Sequence, residues 1–391
     1  MHVFKGKTPC PFHVVVITAP TESAARAYES EILLASETFP YDFSETLLLS
    51  IADPYGQRVG SGGGTLNALA ASKAALEARL KAPLILEDYR VLVVHSGGDS
   101  QRSPTQSLCG KAWSSLNSVI PSSENDTDFE VCATPLYLLL ETLFEIFIPV
   151  PNGGDGYFVV TSSDVLLIVP SDLKAEEFFQ ADVTGLAIPS DVKYAPNHGV
   201  FVVDSDSKVS AYLQKPKKEE LAKHNALLPG DAQGEQVPKV LIDSGVVVFN
   251  KKAIKVLGLM LDDPLFQQCT FLCPRPNVEP SSSSAATALR LEMYSDMLLA
   301  LDHPSDVPPP AEYMGGSAPD TIMQRAREEL WARLGPLSFG AAVANGGKFA
   351  HLGTTAELRQ MVTLGMPEFI APFRLCGVAG YPDLTCLRLQ H

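Results

Sequence analysis

Short apolar runs alternate with longer amphipathic segments along roughly the first 180 residues, a pattern that predicts strands separated by helices. The run HVVVITA at 13–19 predicts a buried strand, and ESAARAYESEILLAS predicts the helix after it. Later segments repeat the order: TLLLSI (46–51), TLNALAASKAALEARLKA, RVLVVH (90–95), TPLYLLLETLFEIF and GYFVVTSSD (156–164). Such alternation favours βαβ units, and we therefore predict an α/β fold with a mainly parallel central sheet.

The pattern changes after residue 180, where strand-like runs stand closer together. These runs are VTGLAIP, HGVFVVD, SKVSAYLQKP and VLIDSGVVVFN, and turn residues lie between them. They predict a mixed or antiparallel part of the sheet. Helical patterns return at KKAIKVLGLM, ALRLEMYSDMLLAL and DTIMQRAREELWARLG. No internal repeat or long linker interrupts the alternation, which favours one large α/β domain.

Composition narrows the class of partner. With 46% hydrophobic and 19% charged residues, the chain has enough apolar side chains for a sizeable core. Its formal net charge of -15 argues against nucleic acid, because binding phosphate backbones requires a basic face. An acidic protein still binds a small anion where cations and backbone N–H groups are gathered locally.

Cysteine usage and hydropathy predict a cytoplasmic protein. The seven cysteines are odd in number and scattered, which suits a reducing compartment. The apolar stretch near the N-terminus is too short for a signal peptide. No run approaches the about 20 apolar residues of a membrane span, so we expect no membrane partner.

A first glycine-rich loop, GSGGGTLNAL (60–69), precedes the second predicted helix. Glycines let a backbone approach a ligand closely, and a helix N-terminus favours anions. A plain loop with a threonine N-cap explains the residues equally well. The loop matches neither the P-loop nor the dinucleotide fingerprint. The predicted nucleotide-binding residues here are Gly60, Ser61, Gly62, Gly63, Gly64 and Thr65.

A second loop follows the strand that ends at His95, in VLVVHSGGDSQRSPTQSLCGK (91–111). Arg102 can form a bidentate hydrogen bond with a phosphate, and Lys111 supplies a point charge. Two such cations suit a triphosphate that releases pyrophosphate. The alternative is a solvated loop with two surface cations. We favour nucleotide binding because ligands bind at the carboxyl ends of parallel strands. The other predicted nucleotide contacts are His95, Gly97, Gly98, Ser100 and Gln101.

Asp164 ends a predicted strand in VTSSDVLL. Phosphoryl transfer commonly uses Mg²⁺, which binds one or two carboxylates together with phosphate oxygens. Asp164 is therefore the first choice for a Mg²⁺ ligand, although strand ends often carry a turn or N-cap aspartate. Asp296, in EMYSDMLLAL, is a second candidate, and a solvated helix-face carboxylate is the competing interpretation.

Three further polar residues follow strands in the second half. Lys215, in AYLQKPK, either holds a sugar phosphate or marks an exposed turn. His198, in NHGV, is either a sugar contact or a buried, hydrogen-bonded histidine. His351, in GKFAHLGTT, is interpreted as structural.

Taken together, these segments resemble a known enzyme family. RVGSGGGTLNAL, HSGGDSQRSP…GK, VTSSDVLL, APNHGV, SGVVVF and GKFAHLGTT are similar to the L-fucose-1-phosphate guanylyltransferase (GDP-fucose pyrophosphorylase) family, including the pyrophosphorylase domain of bifunctional fucokinase/GDP-fucose pyrophosphorylases. The resemblance runs from about residue 12 to about residue 360. It implies a Rossmann-like nucleotidyltransferase fold with a mixed, mainly parallel sheet.

The resemblance also implies a reaction, in which GTP and L-fucose 1-phosphate give GDP-L-fucose and pyrophosphate. It implies that the first glycine loop cradles the nucleotide, that Arg102 and Lys111 stabilise the triphosphate, and that Asp164 holds Mg²⁺. The residues implied to line the sugar-phosphate side are Asn197, His198, Lys215 and Gly245.

The family's domain order predicts a catalytic domain over 1–365 and a C-terminal extension over 366–391, where relatives begin a β-helix. The extension shows no hexapeptide repeat, and no kinase-type ATP loop is apparent in the chain, so we expect no fucokinase activity. Two alternatives remain open: a uridylyltransferase acting on another sugar 1-phosphate, and a non-catalytic nucleotide-sugar binding protein. Only the resemblance favours guanine and fucose.

Overall fold

A computed structural model describes residues 7–96, 106, 110–116, 119–120, 131–148, 156–228, 237–273, 289–315 and 321–359. The predicted contacts Gly97, Gly98, Ser100, Gln101 and Arg102 lie outside these residues, as does the predicted domain boundary at 365/366.

The strands, in chain order, are β1 Thr8–Pro9, β2 Val14–Ala19, β3 Tyr41–Asp42, β4 Leu47–Ala52, β5 Arg90–His95, β6 Val119–Ile120, β7 Val131–Cys132, β8 Tyr157–Ser162, β9 Val165–Ile168, β10 Val183–Asp191, β11 Gly199–Val203, β12 Val209–Gln214, β13 Lys239–Phe249, β14 Phe339–Val343 and β15 Lys348–His351. The α-helices are α1 Glu22–Thr38, α2 Gly60–Leu80, α3 Pro135–Phe147, α4 Lys218–Lys223, α5 Lys251–Leu261, α6 Pro264–Gln267, α7 Ala311–Met314, α8 Ile322–Leu334 and α9 Thr355–Arg359.

Within the described residues, nine strands form the central sheet, in the order β12-β11-β13-β8-β5-β2-β4, with β10 joining β13 to β14. Strands β4, β2, β5 and β8 pair in parallel. Strand β13 pairs antiparallel with β8, β10 and β11. The prediction of a mixed α/β sheet is confirmed: the strands of this sheet before residue 180 pair with one another in parallel, and those after it pair antiparallel except for the parallel pair β10 and β14.

The central parallel strands β2, β5 and β8 are mostly apolar because both faces of the sheet are covered by helices. Alternate residues of β2 point to opposite sides. Val14 and Val16 belong to a core cluster that also contains Leu66 of α2. Val15 and Ile17 belong to a second cluster on the other face, with residues of α1 and α3. The sheet therefore lies between two cores, which leaves its strand ends free to carry polar groups.

Two predicted helices differ from the structure. Helix α2 begins at Gly60, inside the glycine loop, so Thr65 lies within the helix rather than at its N-cap. In the segment predicted as the helix ALRLEMYSDMLLAL, residues 289–292 are instead non-helical, and a π-helical turn follows over Met293–Met297. The reason is long-range pairing, because the backbone N–H of Leu291 donates to Val59 and not to its own segment.

Candidate active site

The carboxyl ends of three parallel strands meet at one edge of the sheet. His95, the last residue of β5, lies between Thr18 of β2 and Ser162 of β8 in the strand register. The first glycine loop follows β4 and Asp164 follows β8, and both strands end at this edge. Parallel α/β sheets bind their ligands at such an edge, so these residues frame the candidate active site.

His95 connects strand β2 to the first glycine loop. Its Nδ1 lies 3.3 Å from the hydroxyl oxygen of Thr18, and its Nε2 lies 2.9 Å from that of Thr65. Because the Thr65 hydroxyl donates to the carbonyl of Ser61, Thr65 accepts from Nε2–H, and Nδ1 then accepts from Thr18. Burial lowers the pKa of His95 to about 4, so the ring is neutral and fixed in this tautomer.

The amides of the first glycine loop are bonded to a distant part of the same chain. The N–H groups of Gly62 and Gly63 donate to the carbonyl of Leu291, at 2.8 and 3.1 Å. The N–H and hydroxyl of Ser61 donate to one oxygen of Glu292, at 3.3 and 3.0 Å. The N-terminus of α2 therefore already holds a carboxylate, the type of anion that this helix end favours.

The backbone conformation and surroundings of Gly60, where the loop meets the segment containing Leu291, require a glycine. Its φ is +75°, a left-handed conformation that glycine adopts readily. A Cβ at this position would lie 2.2 Å from the carbonyl oxygen of Leu291. The segment containing Leu291 can lie against the loop only because Gly60 has no side chain.

Lys111 and Asp164 meet at the centre of the strand edge. Lys111 Nζ lies 2.8 Å from Asp164 Oδ2, and both side chains are largely buried. The hydroxyl of Ser162 donates to the other carboxylate oxygen. His351 Nε2 also lies 3.4 Å from Oδ2 and joins Asp164 to Glu357, whose carboxylate is 3.2 Å from His351 Nδ1.

The charged side chains around Asp164 stabilise one another's ionised forms. Burial alone would raise the pKa of Asp164, but hydrogen bonds and charges from His351 and Lys111 hold it well below its usual range. Burial alone would lower the pKa of His351, but its contacts with Asp164 and Glu357 raise it to about 9. At neutral pH, therefore, an ionised Asp164 lies between two cations.

A cavity of about 400 Å³ opens beside Asp164. It brings together five predicted site residues, which are Asp164, Asn197, His198, Lys215 and Gly245. Its wall also contains polar residues that were not predicted to act there, namely Ser162, Gln214, Asp243, Ser244, Tyr294, His351, Thr354 and Glu357. The residues that the family resemblance implied for the sugar-phosphate side therefore lie in the wall of one cavity.

His198 and Lys215 lie in adjacent turns of this cavity. The N–H of Lys215, a residue with φ of 51°, donates to the carbonyl of His198 at 3.0 Å. The His198 ring lies edge-on to His351, with centroids 5.7 Å apart. Burial, reinforced by the charge of His351, lowers the pKa of His198 to about 4, so this ring is neutral.

Of two unpredicted residues in the cavity wall, His351 had a signal in the sequence and Asp243 had none. His351 was interpreted as structural, yet it lines the cavity and bridges two carboxylates. Its signal was its place in GKFAHLGTT, a segment that contributed to the family resemblance. Asp243 stands two residues before Gly245, and its inward position on a buried strand gave no sign that it faces a cavity.

The donors around Asp164 suit a cation shared with substrate. Mg²⁺ prefers oxygen ligands and commonly takes one or two carboxylates, with phosphates and water completing its shell. Asp164 supplies one ionised carboxylate and Ser162 one hydroxyl. Throughout the described ranges, no cluster of three or more His, Cys, Asp or Glu side chains forms a protein-only metal site. These residues therefore fit Mg²⁺ only together with phosphate oxygens.

Asp296, the second carboxylate considered, is part of a structural ion pair. Its Oδ1 lies 2.9 Å from Arg327 Nε, and its Oδ2 accepts the N–H of Glu292 at 2.7 Å. The side chain is almost fully buried and is absent from the cavity wall. Asp296 instead anchors the π-helical turn that places Glu292 and Tyr294.

No helix in the described part of the chain is both long and apolar enough to cross a membrane.

Comparisons with known proteins identify relatives. A family model described as "Fucose pyrophosphorylase domain" matches residues 84–376, which is more than half of the chain. Human fucose-1-phosphate guanylyltransferase is 24% identical over 369 residues, covering 88% of this chain and 54% of the relative. The bifunctional fucokinase/GDP-fucose pyrophosphorylase of Arabidopsis thaliana is 27% identical over 256 residues, covering 60% of this chain and 23% of the relative.

The mouse fucose-1-phosphate guanylyltransferase gives a similar match, with 25% identity over 88% of this chain and 55% of the relative. The chain thus spans about half the length of the human and mouse relatives. Among solved structures, that of HddC from Yersinia pseudotuberculosis covers 89% of this chain and 76% of that chain, with 10% identity and a TM-score of 0.34. That structural likeness is too weak to transfer a fold or a ligand.

Proposed function

Because the chain belongs to the fucose pyrophosphorylase domain family, we propose that it is a guanylyltransferase converting GTP and L-fucose 1-phosphate to GDP-L-fucose and pyrophosphate. One observation carries the proposal. The cavity beside Asp164 gathers the residues predicted for a sugar phosphate at the same strand edge as Lys111, the residue predicted for the triphosphate. The names of the human and mouse relatives support guanine and fucose as the substrates.

In this reaction a phosphate oxygen of the sugar 1-phosphate attacks the α-phosphorus of GTP. The bond between the α-phosphorus and its bridging oxygen to the β-phosphate breaks, and pyrophosphate leaves with the electron pair. No bond to the protein is needed, so catalysis consists of positioning and charge stabilisation. Lys111 would stabilise the triphosphate together with Arg102, the second predicted cation.

Lys215 and His351 would hold the phosphate of the sugar 1-phosphate. His351 is a cation in the cavity wall because of its contacts with two carboxylates. The exposed Lys215 forms no ion pair within the described parts of the chain. Asn197, His198 and Gly245 would line the sugar ring beside these cations.

Mg²⁺ would be held by Asp164 and Ser162 together with substrate phosphates. The ion would neutralise charge on the α-phosphate and the leaving pyrophosphate. Lys111 is hydrogen-bonded to Oδ2 of Asp164 in the structure, so this lysine would share the carboxylate with the metal or release it when substrates bind.

We also propose a Rossmann-like nucleotidyltransferase architecture and a cytosolic location. The architecture is supported by the parallel strands β4, β2, β5 and β8 with helices on both faces. The location is supported by Cys10, Cys269 and Cys273, which are free thiols, as expected in a reducing compartment.

The test is pyrophosphate release in the presence of Mg²⁺, crossing GTP, UTP and ATP with L-fucose 1-phosphate, mannose 1-phosphate and glucose 1-phosphate. We expect release only from GTP with L-fucose 1-phosphate. Release from UTP with another sugar 1-phosphate would show a uridylyltransferase instead. Nucleotide binding without release in any combination would show a non-catalytic binding protein and overturn the proposal.

A further inference from the structure

We propose that Asp243 determines which sugars the cavity accepts, by taking hydrogen bonds from two neighbouring hydroxyl groups of the sugar ring. This inference rests on the proposed function, because it names the part of the sugar 1-phosphate that the cavity reads. It concerns a residue that neither the sequence nor the family resemblance singled out.

A bulge in β13 places Asp243 at the cavity. Asp243 pairs with Ala187 and Val247 pairs with Gly185, so three residues of β13 lie opposite Leu186 alone. The hydroxyl of Ser244 donates to the carbonyl of Leu186 at 2.8 Å and holds the bulge. Bulges commonly re-aim side chains next to active sites. Here the distortion occurs where β13 forms part of the cavity wall.

Two donors fix the carboxylate from different directions. The N–H of Gly245 donates to Oδ1 at 2.8 Å, and Gly245 has a φ of +85°, which glycine adopts without strain. The hydroxyl of Tyr212, on β12, donates to Oδ2 at 2.7 Å. A Cβ at Gly199 would lie 2.2 Å from the Tyr212 hydroxyl, so this glycine leaves room for the tyrosine to reach Asp243.

The carboxylate keeps unused acceptor capacity. An ionised carboxylate has about four acceptor positions, and Gly245 and Tyr212 fill one on each oxygen. One position on each oxygen is left for donors from the cavity. Two adjacent ring hydroxyls present donors with a similar spacing. Burial raises the pKa of Asp243 to about 6, so the group is mainly ionised at neutral pH.

Burial makes these contacts selective. Asp243 is only 5% exposed, so an analogue that lacks a hydroxyl would leave a charged acceptor without a partner and with little water to replace it. Sites of this kind discriminate strongly against ligands that lack the hydroxyl.

Charge also orients the ligand. Lys215 is a cation in the cavity wall, and the carboxylate of Asp243 would repel a phosphate. The phosphate of a sugar 1-phosphate is therefore drawn toward Lys215, and its ring hydroxyls are left to face Asp243. Tyr294 lies beside Gly245 in the same wall, with its hydroxyl 3.4 Å from where a Cβ of Gly245 would be. Its hydroxyl offers one further polar contact to the ring.

The experiment measures binding, so it does not depend on turnover. L-fucose 1-phosphate and its 2-deoxy, 3-deoxy and 4-deoxy analogues are titrated calorimetrically into the wild-type chain and Asp243→Asn. We expect two analogues that lack adjacent hydroxyls to bind the wild type about 10- to 100-fold more weakly than the parent, as for a lost hydrogen bond to a charged group. In Asp243→Asn the parent should weaken and this discrimination should fall to about threefold or less.

Asp182→Asn is the matched control. Asp182 is also a largely buried, hydrogen-bonded aspartate next to the central sheet, paired with Lys252 and absent from the cavity wall. The Asp182→Asn variant should have a lower free energy of unfolding and the same discrimination among the sugar 1-phosphate analogues as the wild type. Tyr212→Phe retains the Asp243 carboxylate but removes one of its donors, and should change discrimination at least threefold, which keeps the test available if Asp243→Asn does not fold.

The proposal is overturned if the wild type binds all the analogues like the parent, or if Asp243→Asn keeps the wild-type discrimination. It is also overturned if Asp243→Asn does not fold and Tyr212→Phe discriminates like the wild type. Pyrophosphate release from GTP is measured in parallel. Wild-type discrimination without release would reject the proposed transfer reaction and keep the role of Asp243. Pyrophosphate release together with wild-type discrimination in the variants would keep the proposed transfer reaction and reject the role of Asp243.

Discussion

Lys111 and Asp164 are 53 residues apart in the chain, and their charged groups meet 2.8 Å apart at the end of the central strands. The predicted triphosphate contact and the predicted metal ligand therefore neutralise each other in this structure. In the proposed reaction each group would serve a different part of the incoming substrates. Lys111 would turn toward phosphate oxygens, and Asp164 would then accept a metal ion.

Replacing Lys111 should reduce turnover far more than it reduces stability. For Lys111→Ala we expect kcat for pyrophosphate release to fall about 100- to 1000-fold, since a preorganised charge facing the transition state is lost. Lys193→Ala is the control, because Lys193 forms a similar pair with Asp191 at 2.8 Å on the surface. Steady-state kinetics with both variants checks this, and a wild-type rate in Lys111→Ala would contradict the assignment.

Replacing Asp164 should separate metal binding from nucleotide binding. Asp164→Asn removes the ionised ligand, so we expect no measurable turnover while some GTP affinity remains. Chelation of Mg²⁺ by EDTA should have the same effect on the wild type, and added Mg²⁺ should restore it. Turnover by Asp164→Asn at the wild-type rate, or full activity in EDTA, would show that the proposed metal contact is wrong.

Removing Glu292 should open the N-terminus of α2. For Glu292→Ala we expect the free energy of unfolding to fall by about 1 kcal/mol, as for a lost helix cap, and GTP affinity to rise at least threefold. Ser61→Ala removes the hydroxyl donor to Glu292 but keeps the backbone N–H donor and the carboxylate, so it should lose stability without gaining affinity. Weaker GTP binding in Glu292→Ala alone would instead show that the carboxylate contacts the nucleotide.

Breaking the Asp296–Arg327 pair should be costly for stability. Arg327→Met leaves a buried charge without its partner, and we expect the free energy of unfolding to fall by about 3–5 kcal/mol in urea. Arg327→Met combined with Asp296→Asn removes the charge as well and should recover part of this loss. A single variant as stable as the wild type would show that the pair does not anchor the turn.

Asp243 should give an unusual pH dependence. Burial raises its pKa from 3.8 to about 6, so the folded protein binds more protons than the unfolded chain between these values. Its contribution to stability therefore falls as pH rises from about 4 to 6, by up to roughly 3 kcal/mol, and then stays constant. Urea unfolding across this range should show that the wild type loses stability relative to Asp243→Asn.

Asp182 is a control because its contribution to stability should change with pH in the opposite direction. Burial alone would raise the pKa of Asp182, but hydrogen bonds from Lys252, Ser338 and Asn250 lower it. Its contribution is present at neutral pH and is lost as pH falls, so the wild type should gain stability relative to Asp182→Asn as pH rises. Identical difference curves for the two variants would contradict both assignments.

The sequence predicted the parts of the fold whose signal is local. Strands β2, β5 and β8 are continuous apolar runs because both of their faces are buried, and this pattern was readable directly. The segment around Leu291 has helical periodicity, yet its backbone pairs with Val59 and the glycine loop more than 200 residues earlier. Such long-range pairing cannot be predicted from the residues of the segment itself.

The residues of the candidate active site likewise divide into those with a local signal in the sequence and those without one. Asp164 and His198 could be proposed from the sequence because each lies just outside a strand, beside turn residues. Asp243 could not, because its place in the cavity depends on the bulge opposite Leu186 and on a hydroxyl from Tyr212, 31 residues earlier. His351 was visible as a histidine, but its charge comes from two carboxylates that only the folded chain brings to it.

The closeness of Gly60 to Leu291 bears on how such sequences are judged. Any side chain at Gly60 would collide with the Leu291 carbonyl, whether or not a nucleotide ever binds. Selection for folding alone would thus preserve the glycine in a descendant that had lost catalysis. An inactive descendant would then still carry the glycine-rich signature, so the motif reports inheritance of the architecture, and activity must be judged from residues such as Lys111 and Asp164.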